Sequence, residues 1–121
     1  MYYADTYALV EILRGNPAYR PYTRLVTSEF NLLELAYAVT RDYGEDVAIR
    51  VLEEVRRNVV IAYPDDEDYV KAAVFKLSQR RAGRNVSLVD ALGYVLAKRL
   101  GIPFLTGDKA FKGLENVEYV K

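Results

Sequence analysis

The sequence predicts an α/β fold in which helices cover both faces of a parallel sheet. Short β-branched segments alternate with longer segments whose apolar residues recur at helical spacing, and this alternation is typical of parallel sheets. The chain has 121 residues, of which 51% are hydrophobic and 28% are charged. This length and composition predict one globular domain over residues 1–121 with a core of its own.

The N-terminal third predicts two strands, each followed by a helix. Tyr2–Asp5 is predicted to form a short strand, after which Thr6 caps a helix that ends at Gly15. A second strand is predicted around Leu25–Thr27, and Ser28 caps the helix that follows.

The rest of the chain continues the alternation. A helix is predicted around Val47–Val55, and the β-branched run Asn58–Tyr63 predicts a buried strand. The acidic run Asp65–Asp68 predicts the start of another helix, because carboxylates are stabilised at that end of the helix dipole. The inner face of this helix is predicted to consist of Val70, Ala73, Val74 and Leu77. The last predicted elements are a helix from Ser87 to Gly101 and strands at Pro103–Thr106 and Val117–Val120.

The composition excludes several kinds of chemistry. The chain has no cysteine and no histidine. Thiolate nucleophiles, imidazole bases and the nitrogen or sulfur ligands of zinc are therefore excluded. Any catalysis must use carboxylates, lysine, tyrosine, hydroxyls or a hard metal ion held by oxygen.

The charge balance limits how the chain could bind nucleic acid. The 17 Lys and Arg residues equal the 17 Asp and Glu residues, so any contact with nucleic acid must depend on a local patch. The longest uncharged stretch runs only from Leu100 to Gly107. We therefore expect neither a membrane span nor a signal peptide, and a cytoplasmic location.

Two aspartates follow predicted strands. Asp5 ends the first strand, and Asp108 comes just after the strand that ends at Thr106. In parallel sheets ligands bind beyond the carboxyl ends of the strands, so both are candidate site residues. The alternative for each is an ordinary capping or turn role.

Two further carboxylates lie in apolar helical segments. Glu34 has Phe30, Leu35 and Tyr37 among its helical neighbours, where an ionised carboxylate is costly unless it is paired. A buried ion pair with arginine or a surface position are the alternatives. Asp90 interrupts an aliphatic helix; its alternative role is the partner of Ser87 in a capping box.

Four carboxylates at one sheet edge would repel one another unless a cation neutralised them. Without histidine or cysteine the cation must be hard, which favours Mg²⁺ or Mn²⁺ with several water ligands retained. A water molecule bound to such a cation can attack a phosphodiester.

These residues, in this order, resemble the PIN domain, and in particular the small toxins of the VapC type. The segments that carry the resemblance are Tyr-Ala-Asp5-Thr, Leu-Leu-Glu34-Leu, Ser87-Leu-Val-Asp90-Ala-Leu and Thr106-Gly-Asp108-Lys-Ala-Phe111. Their order and spacing extend it over essentially the whole chain.

The resemblance implies a Mg²⁺- or Mn²⁺-dependent ribonuclease on a three-layer α/β/α fold with a central parallel sheet. The implied metal-site acids are Asp5, Glu34, Asp90 and Asp108, with the Thr106 hydroxyl beside them. Homodimers and a small antitoxin protein, whose tail occupies the acidic groove, are also implied. Many relatives have a further acid where this chain has Ala110, which bears on how tightly a second metal is held.

Other interpretations remain open. A catalytically silent PIN-like module that binds proteins would suit Ala110. A phosphoacceptor receiver domain is disfavoured, because only Asp5 follows the first strand and Pro64 follows the run Asn58–Tyr63.

Basic residues near the acids have two interpretations as well. Arg80, Arg81 and Arg84 form a solvated helix end or contact RNA phosphates. Lys109 and Lys112 are better placed to hold a scissile phosphate.

Overall fold

The computed structural model describes residues 1–121, which are arranged around a five-stranded sheet with every strand parallel to its neighbours. The strands are β1 (Tyr2–Ala4), β2 (Leu25–Thr27), β3 (Val59–Ile61), β4 (Phe104–Thr106) and β5 (Val117–Tyr119). The helices are α1 (Thr6–Leu13), α2 (Glu29–Tyr43), α3 (Glu45–Asn58), α4 (Asp66–Arg81) and α5 (Leu88–Leu100). Single 3₁₀ turns occur at Pro17–Tyr19 and Lys109–Phe111.

The strand order is β3-β2-β1-β4-β5, which places β1 at the centre. The chain moves outward from β1 through β2 and β3, and then returns to the other side of β1 to form β4 and β5. The carboxyl ends of β1 and β4 therefore meet where the strand order reverses, the usual ligand-binding position in open α/β sheets.

Alternating side chains of the central strands supply two separate cores. Tyr3 and Phe104 face one side of the sheet in a cluster with residues of α4 and α5. Ala4 and Leu105 face the other side in a cluster with residues of α1, α2 and α3. This period-two pattern confirms the predicted α/β class and gives the three layers their order.

Helix α5 packs closely on the sheet through Gly93. A Cβ atom at this position would lie 2.7 Å from Cε1 of Tyr3 and 3.0 Å from Cε1 of Phe104. Only glycine fits without displacing one of the two rings, and the register of α5, which carries Asp90, is fixed accordingly.

The helix caps agree in part with the sequence predictions. The Ser28 and Ser87 hydroxyls cap α2 and α5 as predicted. The prediction that Thr6 caps α1 was wrong, because the cap is Asp5, whose carboxylate accepts a hydrogen bond from the Ala8 amide at 2.8 Å. Thr6 is the first residue of the helix, which leaves its hydroxyl free for another contact.

Two predictions of burial were wrong. Strand β3 is at the edge of the sheet and Val60 is 55% exposed, because β2 is its only partner. The predicted inner face of α4 points outward instead. Its four members, Val70, Ala73, Val74 and Leu77, are all exposed.

An ion pair between a buried carboxylate of α4 and a partly exposed arginine of α5 sets the orientation of α4. Asp68 is buried, forms a reciprocal capping box with Asp65, and accepts two hydrogen bonds from Arg99 of α5 at 3.0 Å. Burial by itself raises the pKa of Asp68, but the Asp65 amide and the Arg99 guanidinium outweigh it, so the pKa of Asp68 is lowered. The side of α4 that carries Asp68 must therefore face α5, and Val70 and Val74 face solvent.

None of the five helices is long and apolar enough to cross a membrane.

Replacing Asp68 by alanine should lower the free energy of unfolding by about 1 to 3 kcal/mol, because the change removes one bond of the capping box and the partner of Arg99. Since the folded pKa of Asp68 is depressed, its contribution is present above the ordinary carboxyl pKa and is lost as the pH falls below it. Urea denaturation at pH 7 and pH 3 measures both effects. Asp66→Ala is the matched control in the same helical turn, and an equal loss in both variants would contradict the assigned role of Asp68.

Candidate active site

The four predicted carboxylates line one open pocket of about 440 Å³ at the carboxyl edge of the sheet. They are Asp5, Glu34, Asp90 and Asp108. The other lining residues are Thr6, Tyr7, Ser87, Gly107, Lys109 and Lys121. The structure thus brings together acids from α2, α5 and the segments that follow β1 and β4, which are far apart in sequence.

Asp5 is the most buried of the four, with 1% of its surface exposed. It lies between the end of β1 and the start of α1, where one carboxylate oxygen accepts from the Ala8 amide. The other oxygen accepts a short hydrogen bond from the Thr106 hydroxyl at the end of β4. Thr106 lies beneath the pocket, where its hydroxyl also accepts from the Asp108 amide at 3.0 Å.

Glu34 is held by residues of α1 and α2 rather than by an arginine. The Thr6 hydroxyl donates to Glu34 at 2.6 Å, and the Asn31 side-chain amide donates to Thr6 at 3.1 Å. Glu34 is half-buried and forms no salt bridge. Its helical neighbours Leu33 and Tyr37 are mostly exposed, so the predicted apolar face around Glu34 is only partly correct.

Asp90 and Asp108 complete the acidic lining from two other directions. The Ser87 hydroxyl accepts from the Asp90 amide at 3.1 Å, but the Asp90 carboxylate does not return the bond, so the capping box is incomplete. Asp108 caps the 3₁₀ turn that follows it by accepting from the Ala110 amide at 3.0 Å. The carboxylate of Asp90 lines the pocket with the Ser87 hydroxyl as its neighbour.

Burial and mutual repulsion raise the pKa of two of these acids. Burial, and then the charge of Asp90, raise the pKa of Asp5 to about 8, although the Thr106 hydroxyl and the Ala8 amide act in the opposite direction. Burial, and then the charges of Glu34 and Asp108, raise the pKa of Asp90 to about 6. The pocket therefore resists carrying four negative charges at once.

Several residues of the site were not singled out by the sequence analysis. Asn31 is fully buried and accepts from the Tyr3 hydroxyl at 2.6 Å and from the Ser28 hydroxyl at 2.9 Å. Gly107 has no room for a side chain, since a Cβ atom would lie 2.1 Å from Cε1 of Tyr7 and 2.6 Å from the Val120 carbonyl oxygen. The spacing of Ser28 and Asn31 was a usable signal, because a polar residue three positions after a cap reaches back towards it.

The donor set fits a hard cation. All the candidate ligands are oxygen atoms of carboxylates and hydroxyls, which suit Mg²⁺ or Mn²⁺. No three acidic side chains come close enough together to enclose a metal ion by themselves. An ion that keeps several water molecules and takes one or two direct carboxylates is compatible with this spacing.

Comparison with known families identifies the class of protein. The family model of the PIN domain matches residues 2–116, and the chain belongs to this family. Among proteins of curated function, none matches the sequence.

Solved structures with the same fold include a toxin of the VapC type and several VapBC structures. VapC20 of Mycobacterium tuberculosis, described as a sarcin-ricin loop cleaving toxin, superposes with a TM-score of 0.77 at 19% identity, over 100% of both chains. A VapBC2 structure from Rickettsia felis, bound to a promoter DNA fragment, gives 0.78 at 16% identity over 98% of this chain and 96% of that one. DNA-bound VapBC of Salmonella typhimurium gives 0.77 at 17% identity, with the same coverage. At these identities the likeness establishes the shared fold.

The raised pKa of Asp5 predicts an unusual dependence of stability on pH. In EDTA, the free energy of unfolding of the wild type should fall as the pH rises from 3.8 to about 8, because folded Asp5 keeps a proton that unfolded Asp5 has lost. The slope for one such group reaches about 1.4 kcal/mol per pH unit.

Asp5→Asn should flatten this slope, whereas Asp46→Asn on the exposed start of α3 should leave it unchanged. Urea denaturation across this pH range measures the slopes. A wild-type stability that rises with pH, or equal slopes for wild type and Asp5→Asn, would contradict the assigned environment of Asp5.

Proposed function

We propose that residues 1–121 form a single-domain, metal-dependent endoribonuclease that cleaves RNA phosphodiesters and acts as the toxin of a toxin–antitoxin pair. The observation that carries the proposal is the convergence of four carboxylates on one open pocket in a chain without histidine or cysteine. Membership of the PIN family and the likeness to a sarcin-ricin loop cleaving toxin support RNA as the substrate. The proposed location is the cytoplasm.

In this proposal, Asp5, Glu34, Asp90 and Asp108 hold Mg²⁺ or Mn²⁺ directly or through water. Such a cation, when bound, activates water and stabilises the charge that develops on the phosphodiester. The raised pKa values of Asp5 and Asp90 support a cationic ligand, because a positive charge relieves the repulsion that raises them.

The chain's own residues then act by positioning and by charge. The Thr106 hydroxyl keeps one Asp5 oxygen aligned with the pocket, and the Thr6 hydroxyl does the same for Glu34. Lys109 lines the same pocket and is exposed, so its ammonium group is placed to pair with a phosphate oxygen. The protein supplies no imidazole base, and a general base of that kind has no role in the mechanism.

The proposed partners are a second copy of the chain and a small antitoxin protein. Similar structures include toxin–antitoxin complexes, which supports the antitoxin. The helices of the N-terminal half expose apolar side chains at Leu13, Leu33, Tyr37 and Ile49, which supports association through that half.

Cleavage of RNA by the purified chain should require Mg²⁺ or Mn²⁺ and stop in EDTA. Asp5→Asn and Asp90→Asn should abolish it, and Thr106→Val should lower kcat/KM by about 10- to 100-fold, because the supporting hydroxyl of a metal-site carboxylate is lost. The measurement is gel analysis of a labelled RNA under single-turnover and steady-state conditions.

Asp46→Asn serves as the matched control for a change of carboxylate to amide outside the pocket, and it should retain wild-type cleavage. Activity that persists in EDTA would contradict the metal requirement. Absence of cleavage by the wild type, together with tight binding of a protein partner, would favour the silent binding module.

Sedimentation should show a homodimer at micromolar concentration, with an interface of about 1,200 to 2,000 Å² in total. Leu33→Glu and Ile49→Glu together should shift the equilibrium towards monomer, because charged residues at the centre of an apolar interface are costly. Val60→Glu on the edge strand is the control. A wild-type monomer under these conditions would overturn the dimer.

A further inference from the structure

A basic cleft lies next to the acidic pocket, between the end of α4 and the start of α5. It has a volume of about 430 Å³. Its lining residues are Lys76, Arg80, Gly83, Arg84, Asn85 and Val86. Val86 is the only hydrophobic residue among them, and three of the six are basic.

The charge of this region is unbalanced although the chain as a whole is neutral. From residue 69 to residue 89 there are five basic residues and no acidic one. Only Lys71 pairs with a carboxylate, that of Glu67 at 2.8 Å. Arg80 and Arg84 have no carboxylate within 4.0 Å. The Arg84 guanidinium donates a hydrogen bond to the neutral Gln79 side chain at 3.2 Å. The cleft therefore presents uncompensated positive charge to solvent.

A contact between α4 and the segment before α5 fixes the walls of the cleft, and Asn85 offers hydrogen-bond donors without a partner in the chain. The Lys76 ammonium group donates to the carbonyl oxygen of Val86, whose side chain is buried, so the segment before α5 is fixed to α4. Between these anchors, the main-chain N–H of Asn85 has no main-chain partner, and its side-chain amide has no hydrogen bond within the chain. Gly83, at a φ of +81°, has nothing within 4 Å of the position a Cβ would take, so an anion has open access to the turn.

One short segment connects the cleft to the candidate active site. Asn85 and Val86 line the basic cleft, and Ser87 and Asp90 line the acidic pocket. The Cα atoms of Asn85 and Ser87 are two residues apart, which corresponds to about 7 Å in an extended chain. The basic cleft and the acidic pocket are thus lined by consecutive parts of one segment.

We infer that the basic cleft binds a phosphate of the RNA strand adjacent to the one held in the acidic pocket. This inference rests on the proposed ribonuclease function. Arg80 and Arg84 supply the charge, and Asn85 supplies neutral hydrogen bonds. Contacts of this kind fix the register of the strand and its affinity without reading its bases.

An RNA strand is favoured over an acidic peptide as the occupant of the cleft. RNA carries a phosphate on every nucleotide, so a strand that extends from the pocket along the segment from Asn85 to Ser87 brings phosphates to the cleft. An acidic peptide that followed the same path would meet the four carboxylates without a scissile group to place among them. The two occupants are distinguished by experiment.

The test measures the salt dependence of RNA binding, with cleavage prevented by Asp5→Asn and EDTA. The probe is a short fluorescent single-stranded RNA, titrated between about 50 and 200 mM salt. Arg80→Gln combined with Arg84→Gln should reduce the slope of log affinity against log salt by about 1.4, because each phosphate contact with a single strand contributes about 0.7. A fourfold rise in salt then weakens the parent protein about sevenfold more than the variant.

Two comparison variants keep the result specific. Arg20→Gln combined with Arg50→Gln removes the same charge from exposed positions outside the cleft and should leave the slope at the parent value. Arg80→Lys combined with Arg84→Lys should restore the slope, because lysine retains the charge at each position. Thermal unfolding of each variant confirms that these exposed substitutions leave the fold intact.

The outcomes separate this inference from the proposed function. Equal slopes for the cleft variant and the Arg20 and Arg50 control, or no measurable binding of RNA, would overturn the cleft assignment. If the cleft variant no longer binds a polyglutamate peptide that the parent protein binds, while its slope for RNA is unchanged, the cleft assignment to RNA would be overturned in favour of an acidic peptide. If the wild type fails to cleave RNA in Mg²⁺ but the slope changes as expected, the cleft assignment stands and the ribonuclease function does not.

Discussion

A carboxylate buried at the end of the central strand is the constraint on which the site depends. Asp5 follows β1, which is flanked by β2 and β4 and continues directly into α1, so it has almost no contact with water. Its two oxygens are satisfied by an amide of α1 and by the Thr106 hydroxyl of β4. These bonds hold β1, α1 and β4 in one arrangement. They also lower the pKa of Asp5, but burial raises it by more, so that the pKa is about 8. The free energy that this costs is available to a cationic ligand.

The same residues cap helical turns and line the pocket, so the two roles do not exclude each other. Asp5 caps α1 with one oxygen, and Asp108 caps the 3₁₀ turn after β4 with one of its own. A carboxylate has more lone pairs than a cap uses, so the cap fixes the orientation of the group while leaving acceptor capacity for a ligand. A variant that loses the carboxylate and keeps the shape therefore separates the two roles.

Local rules predicted the strands, most caps and the convergence of the acids, because each depends on residues close in sequence or on the general geometry of parallel sheets. The errors arose where a distant contact decided the outcome. Nothing near Val70 and Val74 shows that Asp68 pairs with Arg99, 31 residues further along, and that pair turns the apolar row of α4 outward. Likewise, the run around Val60 has the composition of a buried strand, and only the strand order places it at an edge. The hydrogen-bonded support of Glu34 by Thr6 was not predictable, since the two residues belong to different helices.

The proposed function requires a chain of zero net charge to accommodate a polyanion at an acidic site. Equal numbers of acidic and basic residues give no long-range attraction, and at physiological salt fields between exposed charges decay within about 8 Å. Attraction must therefore come from groups within that distance of the acids. Lys109 and Lys121 line the pocket itself, and the basic cleft begins at Val86, the residue next to Ser87. The proposed binding of RNA therefore depends on these lysines and on the cleft, and the short segment that the Lys76 contact fixes between α4 and α5 sets the position of the cleft relative to the pocket.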